Sequence, residues 1–496
     1  MKLTRILTLL FICLSGLCKT QASGFDKLTI STGVQNPGSS DTMCSNNPVS
    51  DKSILYSPHG YLLKDDPEFN RKSSLWVPAT ETFAVILTVW SYDRYLADFD
   101  FARISPDTWN RNLTGGWEWD RDQLYMNFLL HPIAGGLYFS SARSNGYSFY
   151  ESIPFAFGGA LMWEYFGEND PPSKNDLINT PISGVLFGEI MYRLSSNILD
   201  DRTKGPERLF REVGASLIDP VRGFNRLING TTVRKTKKEI YQKEPVSLTA
   251  SFGSRLSNVG STFGSGAENK MMDINLEYGD PFELRSRNPF EYFTLWWNMY
   301  FGVGYKLTDT IVVNGQLYGK NYEYKKSEML VGIFQHYHYW DSSTFELATI
   351  ALGGGAITKM PLGTKTKLLT NFYLGVMPHA GNNTADGPTT SDFRDYNYGD
   401  GMQAEIDSSI KFGRLNIGFA GFYYWFHSYE GNAEDNFVGI FRPKISFDIT
   451  ESISMAFEQL YYISDRYQDG FPKFQQERTE QKLYLSYSFR DPWFDD

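Results

Sequence analysis

Three pairs of polar residues stand four positions apart in otherwise apolar stretches: Asn127 with His131, Glu164 with Glu168, and Glu189 with Arg193. On a helix each pair shares a face. Arg143 and Asp176 lie close by in sequence, as do Ser152 and Thr180. Ionisable groups among apolar residues are costly unless paired, and they often mark function. Asn127, His131, Arg143, Glu164, Glu168, Asp176, Glu189 and Arg193 therefore read as one polar network. The network has three readings. It braces helices, it binds a ligand or lipid, or it catalyses with His131 as general base and Ser152 as nucleophile. No Gly-x-Ser-x-Gly elbow surrounds Ser152, and the residue types favour the first two readings over an enzyme.

His336 and His338 are two apart, on one face of a strand, a spacing that can ligate a metal. Tyr337 and Tyr339 flank them, and an aromatic belt at a membrane interface accounts for the group better. Cys44 alone remains once a presequence is removed, too few for a disulfide or a zinc cluster. Gly353-Gly354-Gly355 has no following Lys-Ser/Thr and reads as a strand kink, not a phosphate loop. Neither a metal nor a cofactor is expected.

The elements that must position the network are helices. Apolar spacing predicts helices over 123–142 with a kink at Pro132, 148–166, 180–199 with Pro181 in the first turn, and 204–217. The whole region 72–230 reads as a helical domain of about four to five helices. Gly184 and Gly188 form a small-xxx-small face that lets a neighbour approach closely. A polar linker follows over 231–244, and its basic run from Arg234 to Lys243 reads as solvated.

Residues 245–490 change period from 3.6 to 2. In 402–412, Gln403, Glu405, Asp407, Ser409 and Lys411 alternate with Met402, Ala404, Ile406, Ser408, Ile410 and Phe412. Such alternation sends each set to its own face. About twelve strands are expected, starting near Val246, Lys270, Tyr292, Thr310, Ser327, Thr344, Thr366, Gly401, Leu415, Phe437, Ile453 and Arg478. Connections alternate between tight (413–414, 450–452) and long and polar (379–398, 427–436, 464–477). That alternation and an even strand number predict an antiparallel transmembrane β-barrel. Aromatic clusters at 292–301 and 423–426 suit its interfacial belts.

The bulk numbers agree. The 496 residues include 31 Tyr, 11 Trp and 44 Gly, and a mean hydropathy of −0.36 fits strands that show lipid only every second residue. Net charge is −10, and loss of Lys2, Arg5 and Lys19 takes it to −13, which excludes nucleic acid as a partner. Residues 1–22 read as a signal peptide: a basic start, an apolar core too short to span a bilayer, and Ala22 before the cleavage point. Residues 23–71 read as an irregular leader and 491–496 as a polar tail. Sec-type export to the outer membrane follows, with its lipids and the barrel-assembly machinery as partners.

Several motifs in the helical region occur together: Asp122-x4-Asn127-x3-His131-Pro132-x2-Gly135-x2-Tyr138-x3-Ala142-Arg143-x2-Gly146; Trp163-Glu164-Tyr165-x2-Glu168; Pro171-Pro172-Ser173-x-Asn175-Asp176; Thr180-Pro181-x2-Gly184-x3-Gly188-Glu189; and Asp219-Pro220-x-Arg222-Gly223-x-Asn225-Arg226. Together they resemble the bacterial family termed domain of unknown function 3943, over roughly 116–230. The resemblance implies an envelope protein with this helical region ahead of a barrel, and it carries over no catalytic residue. The His, Glu and Asp-x3-Thr-x3-Gly-x3-Gly layout is also similar, more weakly, to VanZ-like membrane proteins.

The expected function is an outer-membrane barrel whose helical region plugs or lines the lumen and binds or passes a small envelope ligand or lipid. The alternatives are a lipid-active hydrolase or acyltransferase using His131, and a structural envelope protein without a ligand.

Overall fold

A computed structural model describes residues 62–490, apart from 260–263, 265, 285–287, 302–307, 343–344, 364–365, 384–395, 432–433 and 469. The expected signal peptide, most of the expected leader and the expected tail lie outside the described residues.

Seven α-helices stand among the described residues, more than the four to five expected: α1 (Trp76–Tyr95), α2 (Pro106–Thr114), α3 (His131–Arg143), α4 (Phe149–Phe166), α5 (Lys174–Ile198), α6 (Gly205–Ile218) and α7 (Pro220–Ile228). The extra helices have readable causes. Apolar residues surround α1, with Val85 and Ile86 buried and Phe83 and Leu87 exposed, so no stripe marks it. The shorter α2 and α7 are set by caps: Ser105 before Pro106, and Asp219 before Pro220.

Two boundaries differ from expectation. Pro132 does not kink a long helix. A π-helical turn at Met126–Leu130 precedes it, and Pro132 sits in the first turn of α3. The helix expected from Thr180 begins at Lys174, because the Ser173 hydroxyl accepts from the Asp176 amide, so Pro181 lies inside it. Ser148 and Glu151 form a reciprocal capping box that starts α4 where expected.

Twelve antiparallel strands follow: β1 (Val246–Val259), β2 (Ala267–Tyr278), β3 (Phe293–Phe301), β4 (Thr308–Tyr324), β5 (Ser327–Asp341), β6 (Glu346–Pro361), β7 (Thr366–Asn383), β8 (Tyr396–Phe412), β9 (Leu415–Glu430), β10 (Glu434–Asp448), β11 (Ile453–Gln468) and β12 (Phe474–Arg490). Each pairs with the next, and β1 pairs with β12 to close the barrel. The starts at Val246, Ser327, Thr366, Leu415 and Ile453 coincide with expectation. The long loops expected at 427–436 and 464–477 are shorter, because Asp435 still pairs with His427 and Arg466 with Phe474. Polarity marks where the apolar band stops, not where strand pairing stops. Gly413, at φ +58, makes the two-residue turn between β8 and β9. We call this the turn end of the barrel and the opposite one the loop end.

Contacts between distant strands identify the inward face. Asn314 on β4 reaches Glu405 on β8, and Arg442 on β10 lies over Trp296 on β3. Alternate residues face out, and Leu374, Val376, Met402, Leu483, Leu485 and Tyr487 are each about half exposed.

The helical domain covers part of this outer wall. On β5, His336 and His338 point inward, so Gln335 and Tyr337 point outward. Gln335 donates to the Ile182 carbonyl of α5 at 2.7 Å, and Tyr337 meets Phe187 edge to face. The expectation that the helices plug or line the lumen is therefore corrected: they pack against the barrel's outside. The outward faces of β2 to β6, with Tyr278, Phe293, Ile311, Val313, Tyr339 and Ile350, are apolar enough to bury helices. Helix α5 follows the wall for its length, about 37 Å at 1.5 Å per residue. Among the described residues no helix is long and apolar enough to cross a membrane.

Within the domain, α3 and α5 run parallel and touch. A methyl group on Gly184 would sit 2.5 Å from the Gly135 carbonyl carbon, and one on Gly188 would sit 2.6 Å from Phe139. Only glycine permits this approach.

The expected solvated linker is a correction too. Arg234 pairs with Asp201 at 2.6 Å and Lys238 with Asp66, while Ile240 and Tyr241 are buried.

Candidate functional site

The eight residues read as one network form two clusters. They stand thirteen residues apart along α5, from Asp176 to Glu189, about 20 Å. Helix α5 begins at the loop end, where Trp119 packs on Tyr429 at 4.8 Å, and ends at the turn end, where Arg193 donates to the Pro289 carbonyl.

The loop-end cluster holds Asn127, His131, Glu164, Glu168 and Asp176. Its centre is Asp120, which sequence reasoning did not select. Asp120 accepts from Asn127 at 2.9 Å, Ser173 at 2.8 Å and Asn175 at 2.6 Å. Burial alone would raise its carboxyl, but these bonds and one from Asp176 outweigh it and hold Asp120 at about 2. His131 lies 3.8 Å from Asp176 and 3.3 Å from the Thr180 hydroxyl. Glu164 accepts from the Ser173 amide at 2.6 Å, while Glu168 joins through its backbone carbonyl, which accepts from Asn112. Asn127 also donates to the Tyr398 hydroxyl at 2.5 Å, tying the cluster to the barrel. Asp120 and Asn175 could have been suspected from their polar type beside apolar helices, but their convergence could not.

The turn-end cluster holds Arg143, Glu189 and Arg193. Both arginines reach Glu189 at 2.8 Å, one to each oxygen, and Arg143 also lies 3.9 Å from the Tyr192 ring centre. The two cations share one carboxylate, and Arg143 also donates to the Tyr147 carbonyl and Arg193 to the Pro289 carbonyl, contacts that tie helices and barrel together as a brace does. Ser152 donates to the Ser148 carbonyl, within its own helix. Tyr138 of α3 faces Gly159 of the antiparallel α4, so His131 and Ser152 sit at opposite ends of the pair. The structure does not bring the suggested base and nucleophile together.

The lumen contains what sequence reasoning passed over. Its loop-end half is packed with Trp296, Trp340, Phe345, Phe422, Tyr424, Phe426 and Tyr462, all buried. Trp340 meets Phe422 at 5.4 Å, and Phe345 stacks on Tyr462 at 4.1 Å. Below this layer, at the turn end, lies a polar vestibule of about 380 Å³, lined among others by Asp273, Asn314, Glu405, Arg442 and Glu458. Arg442 pairs with Glu458 at 2.7 Å, and Lys482 lies 3.9 Å from the same carboxylate. His336 and His338 belong to this interior, not to an outward aromatic belt, because both are buried on the lumen face.

Fold and site together define a closed twelve-stranded barrel with a side-chain-filled lumen and a helical domain on its outer wall. Residues 116–221 match the family described as Domain of unknown function (DUF3943), so the chain carries that domain, as the resemblance implied. No curated protein sequence matches the chain. Among solved structures it is similar to the NanC porin (9% identity, 48% of this chain, 98% of that one, TM-score 0.28). It is also similar to the KdgM porin (8%, 49% and 99%, TM-score 0.23) and to the outer membrane channel DcaP of Acinetobacter baumannii (13%, 51% and 77%, TM-score 0.21). Likeness at this level carries no inference about activity.

Proposed function

We propose that this protein is an outer-membrane barrel whose lumen is a closed binding vestibule for a small polar envelope ligand, with the DUF3943 domain as a lipid-side brace. The observation that carries the reading is the aromatic layer. Trp340 and Phe422 meet across the lumen, and polar, mixed-charge walls lie on one side of them. An aqueous channel needs a wetted path, and a layer of packed aromatic rings denies one. Support for the membrane comes from the band of half-exposed apolar side chains on the outer face, with polar groups inside. The helices' outer side, with Phe157, Leu161, Leu87 and Trp76 exposed, suits the same surroundings.

The test is conductance in planar bilayers. Wild-type protein is expected to stay silent, and Trp340→Ala/Phe422→Ala to produce channel steps. Deleting residues 116–230 is expected to leave the barrel silent, since the helices do not close it. Open channels in wild type, or channels that appear only when the helices are removed, would overturn this reading.

A further inference from the structure

We infer that His336, His338 and Glu405 form a binding site for a divalent transition-metal ion inside the barrel. The two histidines stand two apart on β5, so both side chains enter the lumen on one face. Glu405 comes from β8, three strands away, and reaches them across the interior. One nitrogen of each imidazole and one carboxylate oxygen all lie within 4.8 Å of one another, and all three residues are buried. His338 Nε2 stands 3.3 Å from Glu405 Oε2.

The surrounding hydrogen bonds decide where the lone pairs point. His336 Nδ1 lies 2.6 Å from Asn314 Oδ1. An amide oxygen only accepts, so Nδ1 carries the proton and Nε2 presents a lone pair. The amide orientation is itself fixed, because Asn314 Nδ2 donates to Glu405 Oε1 at 3.0 Å. His338 Nδ1 lies 2.8 Å from the Tyr424 hydroxyl, which also accepts from the Trp340 indole at 3.3 Å. A hydroxyl can donate or accept, so His338 Nε2 presents its lone pair in the tautomer in which Nδ1 donates to Tyr424. Among the described residues, His336 Nε2, His338 Nε2 and Glu405 Oε2 have no hydrogen-bond partner. In that tautomer three lone-pair groups converge in a buried space, and a cation between them relieves their repulsion.

The donor set names the class of ion. Two imidazoles and one carboxylate suit Zn²⁺, Co²⁺, Ni²⁺ or Fe²⁺ rather than Ca²⁺ or Mg²⁺, which prefer oxygen alone. Asn314 holds His336 in its ligating tautomer, and Tyr424 is the outer partner that accepts from His338 Nδ1 when Nε2 ligates. Three protein donors leave a coordination position open. Asn314 and Glu405 line the vestibule, so the site adjoins the space from which an ion or ligand would arrive. The site stands on these residues whether or not the lumen conducts.

The experiment uses the full chain, refolded in detergent without a polyhistidine tag, stripped by chelator and titrated with Co²⁺. The expected result is about one Co²⁺ per barrel with visible d–d bands, displaced by Zn²⁺. His336→Gln and Glu405→Gln should abolish the bands, and Asn314→Leu should weaken binding roughly 10–100-fold through the lost orientation of His336 and Glu405. Heat-modifiability on semi-native gels confirms that each variant is folded. Should a variant not fold, X-ray absorption of the Zn²⁺-loaded wild type decides, with two imidazole shells expected. No Co²⁺ uptake by folded wild type, uptake unchanged in His336→Gln and Glu405→Gln, or an all-oxygen shell would overturn the site.

Discussion

The guanidinium of Arg442 lies over the indole of Trp296, its central carbon 3.7 Å from the ring centre. One residue is on β10 and the other on β3, so the contact crosses the lumen and ties two remote walls together. Glu458 completes it, accepting two bonds from Arg442 at 2.7 and 3.0 Å.

Removing that cation leaves Glu458 buried beside the more distant Lys482, at 3.9 Å, and the Tyr484 hydroxyl, which donates to it at 3.3 Å. Arg442→Leu is expected to cost about 3–5 kcal/mol, the range for breaking a buried pair on one side. The double change Arg442→Leu/Glu458→Leu should recover most of the loss. Urea unfolding followed on semi-native gels measures both. A single variant as stable as wild type would mean that the pair is not holding the walls.

The close approach of α3 and α5 depends on Gly184 and Gly188. A side chain at Gly188 meets Phe139 and the Gly136 carbonyl, and neither can move aside freely. Gly188→Leu should therefore detach or loosen the helical domain by roughly 1–3 kcal/mol, as overpacking does, while the barrel stays closed. Hydrogen exchange should rise in 131–198 and stay low in β9 to β12. Equal loss of protection in both would show that the two units fold only together.

Acid should attack the turn end through the Asp200–Arg202 fork. Burial raises the Asp200 carboxyl, but the Arg202 side chain and amide overcome this and hold it at about 2, below its ordinary 3.8. A depressed carboxylate stabilises the fold fully above about pH 4, and the benefit is lost as pH falls toward 2. Tryptic cleavage after Arg202, following brief exposure to each pH, should rise across that window. In Asp200→Asn the rise should be flattened. An unchanged acid profile in the variant would remove Asp200 from the account.

Separation of His131 from Ser152 predicts that no lipid acylation change depends on His131. Lipid mass spectra of cells overproducing the protein should match those of cells carrying His131→Ala. A species present with wild type and absent with His131→Ala, at equal outer-membrane abundance, would restore the enzyme reading.

Much of the fold was legible along the chain. Local rules act over a few residues, so Ser148 with Glu151 started α4 and Gly413 turned β8 into β9 where expected. The site was less legible. Asn127, His131 and Asp176 were visible as polar residues in apolar helices, but Asp120, their common acceptor, sits in a loop with no periodic pattern to single it out. The Glu189 pairs were half visible: Arg193 is four residues on, whereas Arg143 comes from another helix.

The sequence by itself determined the strand number, the alternation within each strand and most strand starts, because a period of two and tight turns are local. Only the tertiary structure decided which surface those strands present to the helices. An apolar helix with a few paired polar groups reads the same whether it fills a lumen or leans on a wall. The closed register decided the rest, since it carried Glu405 from β8 to His336 and His338 on β5. Nothing in the 68 residues of intervening sequence between 336 and 405 could announce that meeting, because it follows from the circumference of the barrel and not from any neighbour along the chain.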